Sequence, residues 1–511
     1  MTLAPQLIRL HDNDTVAVAR SAIAAGTPLD SSVASPKTAM AIASGHKVAL
    51  RAVEKGGEIL KYGHVIGVAT QNIAPGDHVH LHNMTMPELV DGRAITSEGR
   101  HTPLLQLQQR RTFEGYLRPD GQIGTRNYIG ILTSVNCSAT VSHAIAKHFN
   151  EGGGLAGFDN VDGVVALSHG GGCAINMQTD GYKYLTRTIA GYAKNPNFGG
   201  VLIIGLGCET NQISFIARDF ALNEGPLLRT MTIQGLGGTR KTIDAACEII
   251  RGMLPTIDAT KRMTLPLSGI KVALECGGSD GYSGISANPA LGFASDLLVQ
   301  HGGTAVLSET PEIYGAEHLL IRRAVSLDVS SKLSERIEWW RNYTERNGAE
   351  LNNNPSHGNK AGGLTTIIEK SLGAVAKSGS MPLEAVYEYA EQIDKAGLVF
   401  MDTPGYDPVA VTGQIAGGCN VVVFTTGRGS VSGFKPAPCI KVASNNALYE
   451  HMQEDMDINC GGIVAGEDTI EQAGLRIFEK IIAVASGERT ASETYDYGNN
   501  EFVPWQIGAV T

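Results

Sequence analysis

From residue 111 onward the chain repeats an apolar strand, a glycine-rich turn and a helix, and this rhythm constrains the fold more than any other feature. The strand candidates are short, near-continuous apolar runs at 128–135, 161–167, 200–206, 228–234, 270–274, 304–308, 397–401 and 421–424. Helical patterns follow most of them, for example at 138–150 and 239–253. Strands that are apolar on both faces and alternate with helices are typical of parallel sheets covered on both sides. We therefore predict a large α/β region with mainly parallel sheets.

The first 95 residues have a different pattern. Apolar and polar residues alternate in short segments at 15–19, 46–50 and 78–82, and glycine and proline separate these segments. Period-two segments with frequent turns predict a small β-rich domain. The alternation is lost after Met84, where Pro, Asp, Ser, Gln and Arg predict a linker. The predicted parts are a β-rich domain at 1–95, a linker at 96–110, a first α/β domain at 111–265 and a second at 266–511.

The charge and hydropathy of the chain exclude several classes of protein. The formal net charge is −10 and the pI is near 5.8, and no basic run exceeds two residues. Nucleic-acid-binding surfaces concentrate Lys and Arg instead. No stretch approaches 18 consecutive apolar residues, and the amino terminus lacks the apolar segment of a signal peptide. We therefore expect a cytoplasmic protein that acts on a small molecule, with neither nucleic acid nor a membrane as partner.

Four of the eight cysteines directly follow predicted strands, where open α/β sheets bind their ligands. They are Cys137, Cys173, Cys208 and Cys276, and His169 lies in the same turn as Cys173. Thiolates and imidazole converging on one sheet edge would suit a transition metal or an iron–sulfur cluster. Alternatively, each cysteine is a small buried hydrophobic residue. Because the chain has no CxxC spacing, both interpretations stay open, and the second is favoured for the other four cysteines.

Three histidines alternate with apolar residues near the end of the small domain. In an extended strand His78, His80 and His82 all face one side, and two imidazoles at that spacing can chelate one divalent ion. A solvent-facing polar strand is the alternative interpretation. His46 follows a glycine at the start of another predicted strand.

The glycine-rich turns do not complete a dinucleotide-binding fingerprint, and the chain has no Walker lysine motif. A carboxylate-binding role fits these turns as well, because glycine turns and helix amino termini present N–H groups to anions. Arg428 and Lys360 could add fixed positive charge for such a carboxylate.

Several longer motifs resemble one family. GHK at 45–47, IG at 66–67 and GDHVHLHN at 76–83 resemble the SAF (β-clip) domain of the altronate dehydratase and galactarate dehydratase family. The large region carries further motifs, namely IGLGCETNQ at 204–212, LECGGSDGYSGISANPALG at 274–292, SETPEIYGAE at 308–317, NPSHGNKAGG at 354–363, EKSLGAVAKSG at 369–379 and FTTGRG at 424–429. His357 and the SVS segment at 430–432 depart from the pattern of the family, which puts the substrate in doubt.

The resemblance implies a SAF domain followed by the large dehydratase region. It also implies a hydro-lyase that converts a hexonate or aldarate into a 2-keto-3-deoxy acid. The implied cofactor is a divalent metal, with Fe²⁺ first and Mn²⁺ or Mg²⁺ as alternatives, and an iron–sulfur cluster stays open. Related sulfo-lyases act on sulfolactate, which gives an alternative reaction. The expected partners are a sugar-acid substrate and a second copy of the chain in a homo-oligomer, a dimer.

Each candidate residue has an expected role. The catalytic candidates are His46, Lys360 and His82, which would exchange protons with the substrate. The substrate-binding candidates are Gly278, Ser279, Asp280, Asn359 and Arg428. The metal-binding candidates are His80, His82, Cys137, His169, Cys173, Cys208 and Cys276, with Cys208 and Cys276 first among the cysteines.

Two alternative hypotheses about function remain besides an enzyme of this family. One is a non-catalytic protein that binds or senses a sugar acid, and the other is a nucleotide-dependent transferase. The convergence of His, Cys, Asp and Lys favours an enzyme over a sensor, and the missing phosphate loop disfavours a transferase. For an enzyme, we expect the small domain to close onto the carboxyl edge of the sheet and the four cysteines to meet there.

Overall fold

The computed structural model describes residues 4, 6–32, 34–88 and 95–508. Residues 89–94, which belong to the predicted small domain and its exit, lie outside the described residues. No described helix combines the length and apolarity needed to span a bilayer.

The amino-terminal region is built from short antiparallel strands. They are β1 (Leu7–Ile8), β2 (Val16–Ala19), β3 (Lys47–Ala49), β4 (Glu58–Lys61), β5 (His64–Ala69), β6 (His78–Val79) and β7 (Met84–Thr85). These strands form two small sheets, with the strand orders β1-β2-β3-β6 and β4-β5-β7. The predicted β-rich fold is confirmed, with one correction. The expected histidine strand ends at Val79, and residues 80–83 form a turn.

The second region is an α/β unit. It begins with β8 (Thr112–Leu117) and β9 (Ile123–Gly124) and continues through β10 (Tyr128–Thr133), α1 (Ala139–Asn150), β11 (Gly163–Leu167), α2 (Asp180–Ala193), β12 (Phe198–Gly205), α3 (Ile213–Asp219), β13 (Leu228–Thr232), α4 (Ile233–Leu236) and α5 (Thr239–Ala259). Strands β11-β10-β12-β13 form a four-stranded sheet in which every pairing is parallel. Strands β10, β11 and β12 are wholly buried, as the continuous apolar runs predict, whereas the edge strand β13 is only partly buried.

The third region surrounds a larger parallel sheet. Its elements are β14 (Met263–Pro266), β15 (Lys271–Cys276), α6 (Ala287–Gln300), β16 (Thr304–Leu307), α7 (His318–Ile321), α8 (Leu327–Arg346), α9 (His357–Ala361), α10 (Ile367–Val375), β17 (Leu383–Tyr387), β18 (Gly397–Met401), α11 (Asp407–Ala416), β19 (Val421–Thr426), β20 (Cys439–Ala443), α12 (Asn446–His451), β21 (Ile458–Asn459), α13 (Gly461–Ala465), α14 (Ile470–Ala485) and α15 (Ala491–Thr494). The order β17-β18-β16-β15-β19-β20-β21 gives seven parallel strands. Strand β14 instead pairs antiparallel with β8. The prediction of an α/β region with mainly parallel sheets is confirmed.

The small domain docks on the third region through buried charges. Lys47 Nζ lies 2.9 Å from Glu369 Oε2, and Lys61 Nζ lies 2.8 Å from Glu369 Oε1. All three side chains are at most 1% exposed. Lys47 also donates to the carbonyl of Gly363 (2.6 Å). The expected closure of the small domain onto the large region is therefore confirmed.

Candidate active site

Four acidic side chains and one cysteine meet at the carboxyl edge of the seven-stranded sheet. This carboxylate cluster consists of Glu275 and Cys276 at the end of β15, Glu309 after β16, Glu312 in the turn Thr310–Ile313, and Asp407 at the start of α11. The first four are buried and Asp407 is half-buried. Because the carboxyl ends of parallel strands share one edge, residues distant in sequence converge there.

The ligand atoms of the carboxylate cluster are close enough to share one ion. Those of Glu275, Glu309 and Asp407 lie within 4.8 Å of one another, and so do those of Cys276, Glu309 and Glu312. Glu309 belongs to both groups. Among the described residues, Glu275 Oε2 and Glu309 Oε1 are buried oxygens without a hydrogen-bond partner. The cluster therefore holds two oxygens that the protein leaves available.

Glu309 is held in an uncommon backbone conformation. Its φ is 67°, in the left-handed region, which costs a non-glycine residue about 1–3 kcal/mol. Its N–H donates to Thr403 Oγ1 (2.9 Å), and Thr310 N donates to the Thr403 carbonyl (3.0 Å). The loop after β18 thus holds the turn that aims the Glu309 carboxylate into the cluster.

Two buried lysines contact the carboxylate cluster. Lys377 Nζ lies 3.0 Å from Cys276 Sγ and 3.3 Å from Glu309 Oε2. Lys370 Nζ lies 2.7 Å from Glu312 Oε1. These two ammonium groups balance only part of the charge that four ionised carboxylates would carry.

Burial and the surplus of acidic groups raise the pKa values of Glu275, Glu309 and Asp407. Burial raises the pKa of Glu275 to about 7, although Lys377 opposes it. Burial and then the carboxylates of Glu275 and Glu312 raise the pKa of Glu309 well above its usual range. Burial and the Glu312 carboxylate raise the pKa of Asp407 to about 6. Without a further positive charge, the cluster therefore retains protons at neutral pH.

A divalent cation fits this set of donors. Carboxylate oxygens suit Mg²⁺, Mn²⁺ and Ca²⁺, and the sulfur of Cys276 extends the range to softer metals such as iron. The two unpartnered oxygens of Glu275 and Glu309 are the ligand atoms that such an ion would use first. Its charge would take the place of the retained protons.

Four histidines of the small domain form a second group, the histidine cluster: His46, His78, His80 and His82. The ring centroids of His46 lie 5.1 Å from those of both His78 and His80, and His82 lies 5.4 Å from His78. His46 Nδ1 is 3.0 Å from His78 Nε2. The turn after β6 thus gathers the rings that an extended strand would have aligned.

The histidine cluster faces helix α9 of the large region. His46 Nε2 lies 3.2 Å from the carbonyl oxygen of Ala361, and His80 Nε2 lies 3.0 Å from that of Lys360. A ring nitrogen that faces a carbonyl carries the proton, so we assign N–H to both Nε2 atoms. On that assignment His46 Nδ1 accepts from His78 Nε2–H.

Burial keeps these imidazoles neutral. It lowers the pKa of His46, and it lowers the pKa of His78 to about 4, with the neighbouring His46 and His80 adding to the effect. The pKa of His80 is lowered to about 4 by burial and then by the charge of Lys47. At neutral pH these rings are therefore available as proton acceptors.

The loop after β15 joins the two clusters. Asn359 Nδ2 in α9 donates to the Ser279 carbonyl (2.8 Å), and Gly281 N donates to the Gly362 carbonyl (2.8 Å). The same loop begins at Cys276 of the carboxylate cluster. The loop that begins at the carboxylate cluster is therefore bonded to α9, the helix that the histidine cluster contacts.

Comparisons with known proteins agree along the whole chain. The family model for the C-terminal domain of D-galactarate/altronate dehydratase matches residues 267–510. The model for the second domain of D-galactarate dehydratase/altronate hydrolase matches residues 115–258. The altronate/galactarate dehydratase SAF domain matches residues 5–87.

The chain is 36% identical to altronate dehydratase of Bacillus subtilis over 492 residues, 96% of this chain and 97% of that protein. It is 38% identical to galactarate dehydratase (L-threo-forming) of Escherichia coli over 490 residues, 94% of this chain and 93% of that protein. The chain belongs to the D-galactarate/altronate dehydratase family. Members of this family are hydro-lyases, so the predicted family and the predicted enzyme class are confirmed. A more distant relative, (2R)-sulfolactate sulfo-lyase subunit beta of Chromohalobacter salexigens, is 31% identical over 77% of this chain and 97% of that protein.

In this dehydratase-family chain the cysteines do not share one edge as expected. Cys137, Cys173 and Cys208 follow β10, β11 and β12 of the four-stranded sheet and are exposed. Cys276 ends β15 of the seven-stranded sheet and is buried. The prediction of a single edge is wrong for Cys276, because the strands divide between two sheets.

His169 has a different role from the predicted one of metal ligand. Its Nε2 lies 2.9 Å from the carbonyl oxygen of Thr133, and its Nδ1 accepts from Gly171 N (3.2 Å). Both ring nitrogens therefore hold the glycine turn, which leaves neither of them to bind an ion.

Two predicted substrate-binding residues organise loops instead of presenting free polar atoms. The Asp280 carboxylate accepts hydrogen bonds from Tyr282 N, Ser283 and Ser444, and from Asn445 Nδ2 (3.0 Å). Asn359 forms the capping box of α9, besides its bond to the loop after β15.

The other predicted substrate-binding residues are better placed to meet a ligand. Ser279 Oγ is buried and has no partner among the described residues. Gly278 and Arg428 are exposed, and a Cβ at Gly278 would lie 3.4 Å from Arg428 Cβ. Lys360 is half-buried beside the histidine cluster. Substrate contact by these residues stays a prediction.

Sequence reasoning missed the two lysines and all four acids of the carboxylate cluster, and predicted only Cys276 of its members. Glu275 and Glu309 directly follow apolar runs, which is a signal that sequence does carry. Lys370 and Lys377 lie on α10 and the turn after it, amid apolar residues, and no spacing rule connects them to a strand end. His78 was assigned to the histidine strand but not to a site, although its ring contacts that of His46.

Proposed function

We propose that this chain catalyses the metal-dependent dehydration of a sugar acid, a hexonate or an aldarate, to a 2-keto-3-deoxy acid. The observation that carries the proposal is the carboxylate cluster, in which buried, unpartnered oxygens of Glu275 and Glu309 lie at the ligand-binding edge of the sheet. The names of the altronate and galactarate dehydratase relatives support this substrate class.

In this proposal the metal ligands come from Glu275, Glu309, Asp407, Glu312 and Cys276. A divalent ion bound there would act as a Lewis acid toward the carboxylate and an adjacent hydroxyl of the substrate. Fe²⁺ is our first choice because the donors mix oxygen with sulfur, and Mn²⁺ and Mg²⁺ are the alternatives.

The chain's own residues must move two protons. Dehydration of a 2,3-dihydroxy acid removes the proton next to the carboxylate and protonates the departing hydroxyl. With N–H assigned to the Nε2 atoms of His78 and His80, the Nδ1 atoms of these neutral imidazoles have a lone pair for the first task. His46 Nδ1 faces His78 Nε2–H, so His46 takes the proton onward from His78. The contact between His46 Nδ1 and His78 Nε2 offers a path for that proton away from the substrate.

The substrate carboxylate needs positive charge and hydrogen-bond donors. Arg428 and Lys360 supply the charge, and the free hydroxyl of Ser279 supplies a donor on the loop between the two clusters.

A substrate panel under anaerobic conditions tests the proposal. Hexonates, aldarates and sulfolactate are incubated with the protein and Fe²⁺, and 2-keto acid and sulfite are measured. We expect 2-keto acid from a hexonate or aldarate, and much less from Glu309→Gln than from the matched surface variant Glu338→Gln on α8. Sulfite release from sulfolactate alone would favour the sulfo-lyase alternative. Binding of a sugar acid without turnover would favour a sensor and overturn the proposal.

A further inference from the structure

Three of the eight cysteines are exposed, and all three lie at one place in the fold. Cys137, Cys173 and Cys208 follow β10, β11 and β12, which are adjacent parallel strands. The other five cysteines are buried. Free cysteine is among the most buried residue types, so three exposed thiols on one sheet edge do not fit a packing role. We call this set the thiol edge.

Hydrogen bonds tie the loops of the thiol edge to one another. Thr210 N and Oγ1 both donate to the Cys173 carbonyl, at 3.0 and 2.6 Å. Asn136 N donates to the Gly171 carbonyl (3.2 Å), and Asn211 Nδ2 donates to the Ser134 carbonyl (2.9 Å). Each cysteine-bearing loop is therefore fixed relative to the other two.

A buried carboxylate orders the loop of Cys208. Glu209 is 3% exposed, and it accepts hydrogen bonds from Gly207 N (2.6 Å) and from Ser134 Oγ (2.6 Å). Burying a charged group is costly unless it is well hydrogen-bonded. The hydrogen bonds of the Glu209 carboxylate therefore fix the shape of the loop that exposes the Cys208 thiol.

One side chain points a donor at a sulfur of the thiol edge. Gln234 Nε2, at the start of α4, lies 3.5 Å from Cys208 Sγ. Hydrogen bonds to sulfur are among the features that tune iron–sulfur clusters. The carboxamide of Gln234 is placed to make such a bond to Cys208.

The spacing of the three sulfurs disfavours a single ion. In the described part of the chain, the only groups with three ligand atoms within 4.8 Å belong to the carboxylate cluster. The three sulfurs of the thiol edge do not form such a group, although hydrogen bonds join their loops. A polynuclear cluster has the size to reach three thiolates that one ion cannot reach.

A cavity of about 340 Å³ lies beside the thiol edge. It is lined by residues 169–175, which include Cys173, and by the carboxyl-terminal segment 504–508. That segment is anchored, because the Trp505 ring stacks on Trp340 with centroids 5.3 Å apart. Small molecules can therefore approach Cys173 through a formed space.

We infer that Cys137, Cys173 and Cys208 bind a [4Fe–4S] cluster, each as a deprotonated thiolate. Three protein thiolates leave the fourth iron without a cysteine ligand, open to a small oxygen ligand from the adjoining cavity. The inference is separate from the proposed dehydration, because it rests on the four-stranded sheet and needs no residue of the carboxylate cluster.

Anaerobic reconstitution of the full-length chain tests the inference. The protein is treated with equal amounts of ferrous and ferric salts, sulfide and dithiothreitol, desalted, and assayed for iron and acid-labile sulfide. We expect about four sulfides and about five irons per chain, four in the cluster and one at the carboxylate cluster, with the broad visible absorption of an iron–sulfur cluster. Cys137→Ser, Cys173→Ser and Cys208→Ser should each lose most of both. Cys247→Ser, which alters a buried cysteine on α5, is the matched control and should keep both.

The outcomes separate this site from the metal of the proposed function. Glu309→Gln should keep its acid-labile sulfide and its cluster absorption even if it loses dehydration and the iron of the carboxylate cluster. Iron bound without sulfide, or sulfide retained by the three serine variants with unchanged thermal unfolding, would overturn the inference. Equal loss from Cys247→Ser would also overturn it, because the effect would then be one of folding.

Discussion

At the scale of single residues, Glu309 combines three unfavourable conditions. It is buried, its backbone lies in the left-handed region, and its Oε1 has no partner among the described residues. Strained and unsatisfied groups persist where the surrounding structure holds them for a function. A bound cation would satisfy the oxygen and remove the cause of the raised pKa.

Glu309→Gln should therefore weaken metal binding while the fold survives. Glutamine keeps the size and one carbonyl oxygen but not the charge, so we expect at least about 10-fold lower affinity for Mn²⁺. Isothermal titration with Mn²⁺, with Glu338→Gln as control, measures this. Unchanged affinity would place the ion elsewhere.

His46→Asn should preserve fold and metal content and lower turnover by about 10² to 10⁴, the range for one general acid–base group. The contact of His46 with the Ala361 carbonyl is at the edge of the domain interface, so little packing is lost. Steady-state kinetics over a pH series measures the effect. Near-normal turnover would show that the ring only helps to dock the small domain.

At the scale of elements, α10 carries two adjacent residues with different partners. Glu369 binds Lys47 and Lys61 of the small domain, whereas Lys370 binds Glu312 of the carboxylate cluster. One helix therefore positions both the docked domain and the metal ligands. A shift of α10 would disturb both at once.

Glu369→Gln should destabilise the protein by about 3–5 kcal/mol at pH 7, because it leaves two buried ammonium groups without their carboxylate. Burial alone would raise the pKa of Glu369, but Lys47 and Lys61 outweigh it and hold the pKa well below its usual range. A lowered carboxyl pKa contributes stability above the unfolded value, near pH 4.5, that is lost as the pH falls below it. The difference between wild type and variant should therefore shrink on acidification.

The midpoint of urea unfolding at a series of pH values checks this prediction. Exposed Glu338→Gln should change stability by no more than about 0.5 kcal/mol at any pH. A difference for Glu369→Gln that does not vary with pH would contradict the assigned ion pairs.

Prediction from sequence succeeded where strands are continuous apolar runs and failed where charges interrupt them. Strand β18 has the predicted bounds, and the parallel arrangement followed from such runs. Strand β20 was missed because Lys441 lies in its middle, although its side chain is fully buried. Strand β17 was missed because it is an edge strand and tolerates the half-buried Glu384.

The site was predictable only in part, because local sequence patterns reveal the ends of strands but not the order of strands in a sheet or the contacts of the folded chain. Residues that directly follow strands can be found from sequence, as Cys276 and Ser279 were. The partition of four cysteines between two sheets depends on strand order, which no local pattern encodes. The buried Lys377 also depends on tertiary contacts, because only the packed cluster makes its burial favourable.

At the scale of the whole molecule, the carboxylate cluster and the histidine cluster belong to different domains. The carboxylate cluster uses only residues between 275 and 407, whereas the histidine cluster belongs to the small domain. A chain lacking residues 1–95 should therefore bind Mn²⁺ but not dehydrate a sugar acid. Undiminished dehydration by this truncated chain would show that the histidines have no part in the reaction.

Truncation would also leave the Glu369 carboxylate without its two lysines. The truncated chain should tolerate Glu369→Gln far better than the full-length chain does. Thermal unfolding of the four proteins forms a double-mutant cycle for the docking contact.

At one place the small domain and the large region meet through main chain alone. A Cβ at Gly281 would lie 2.1 Å from the Gly45 carbonyl oxygen, and one at Gly363 would lie 2.4 Å from it. Gly363 also has a φ of 101°, which favours glycine. Any side chain at Gly281 or Gly363 would collide with the Gly45 carbonyl and push the small domain outward. Because Gly45 directly precedes His46, the missing side chains at these two glycines set how closely the four rings approach the large region.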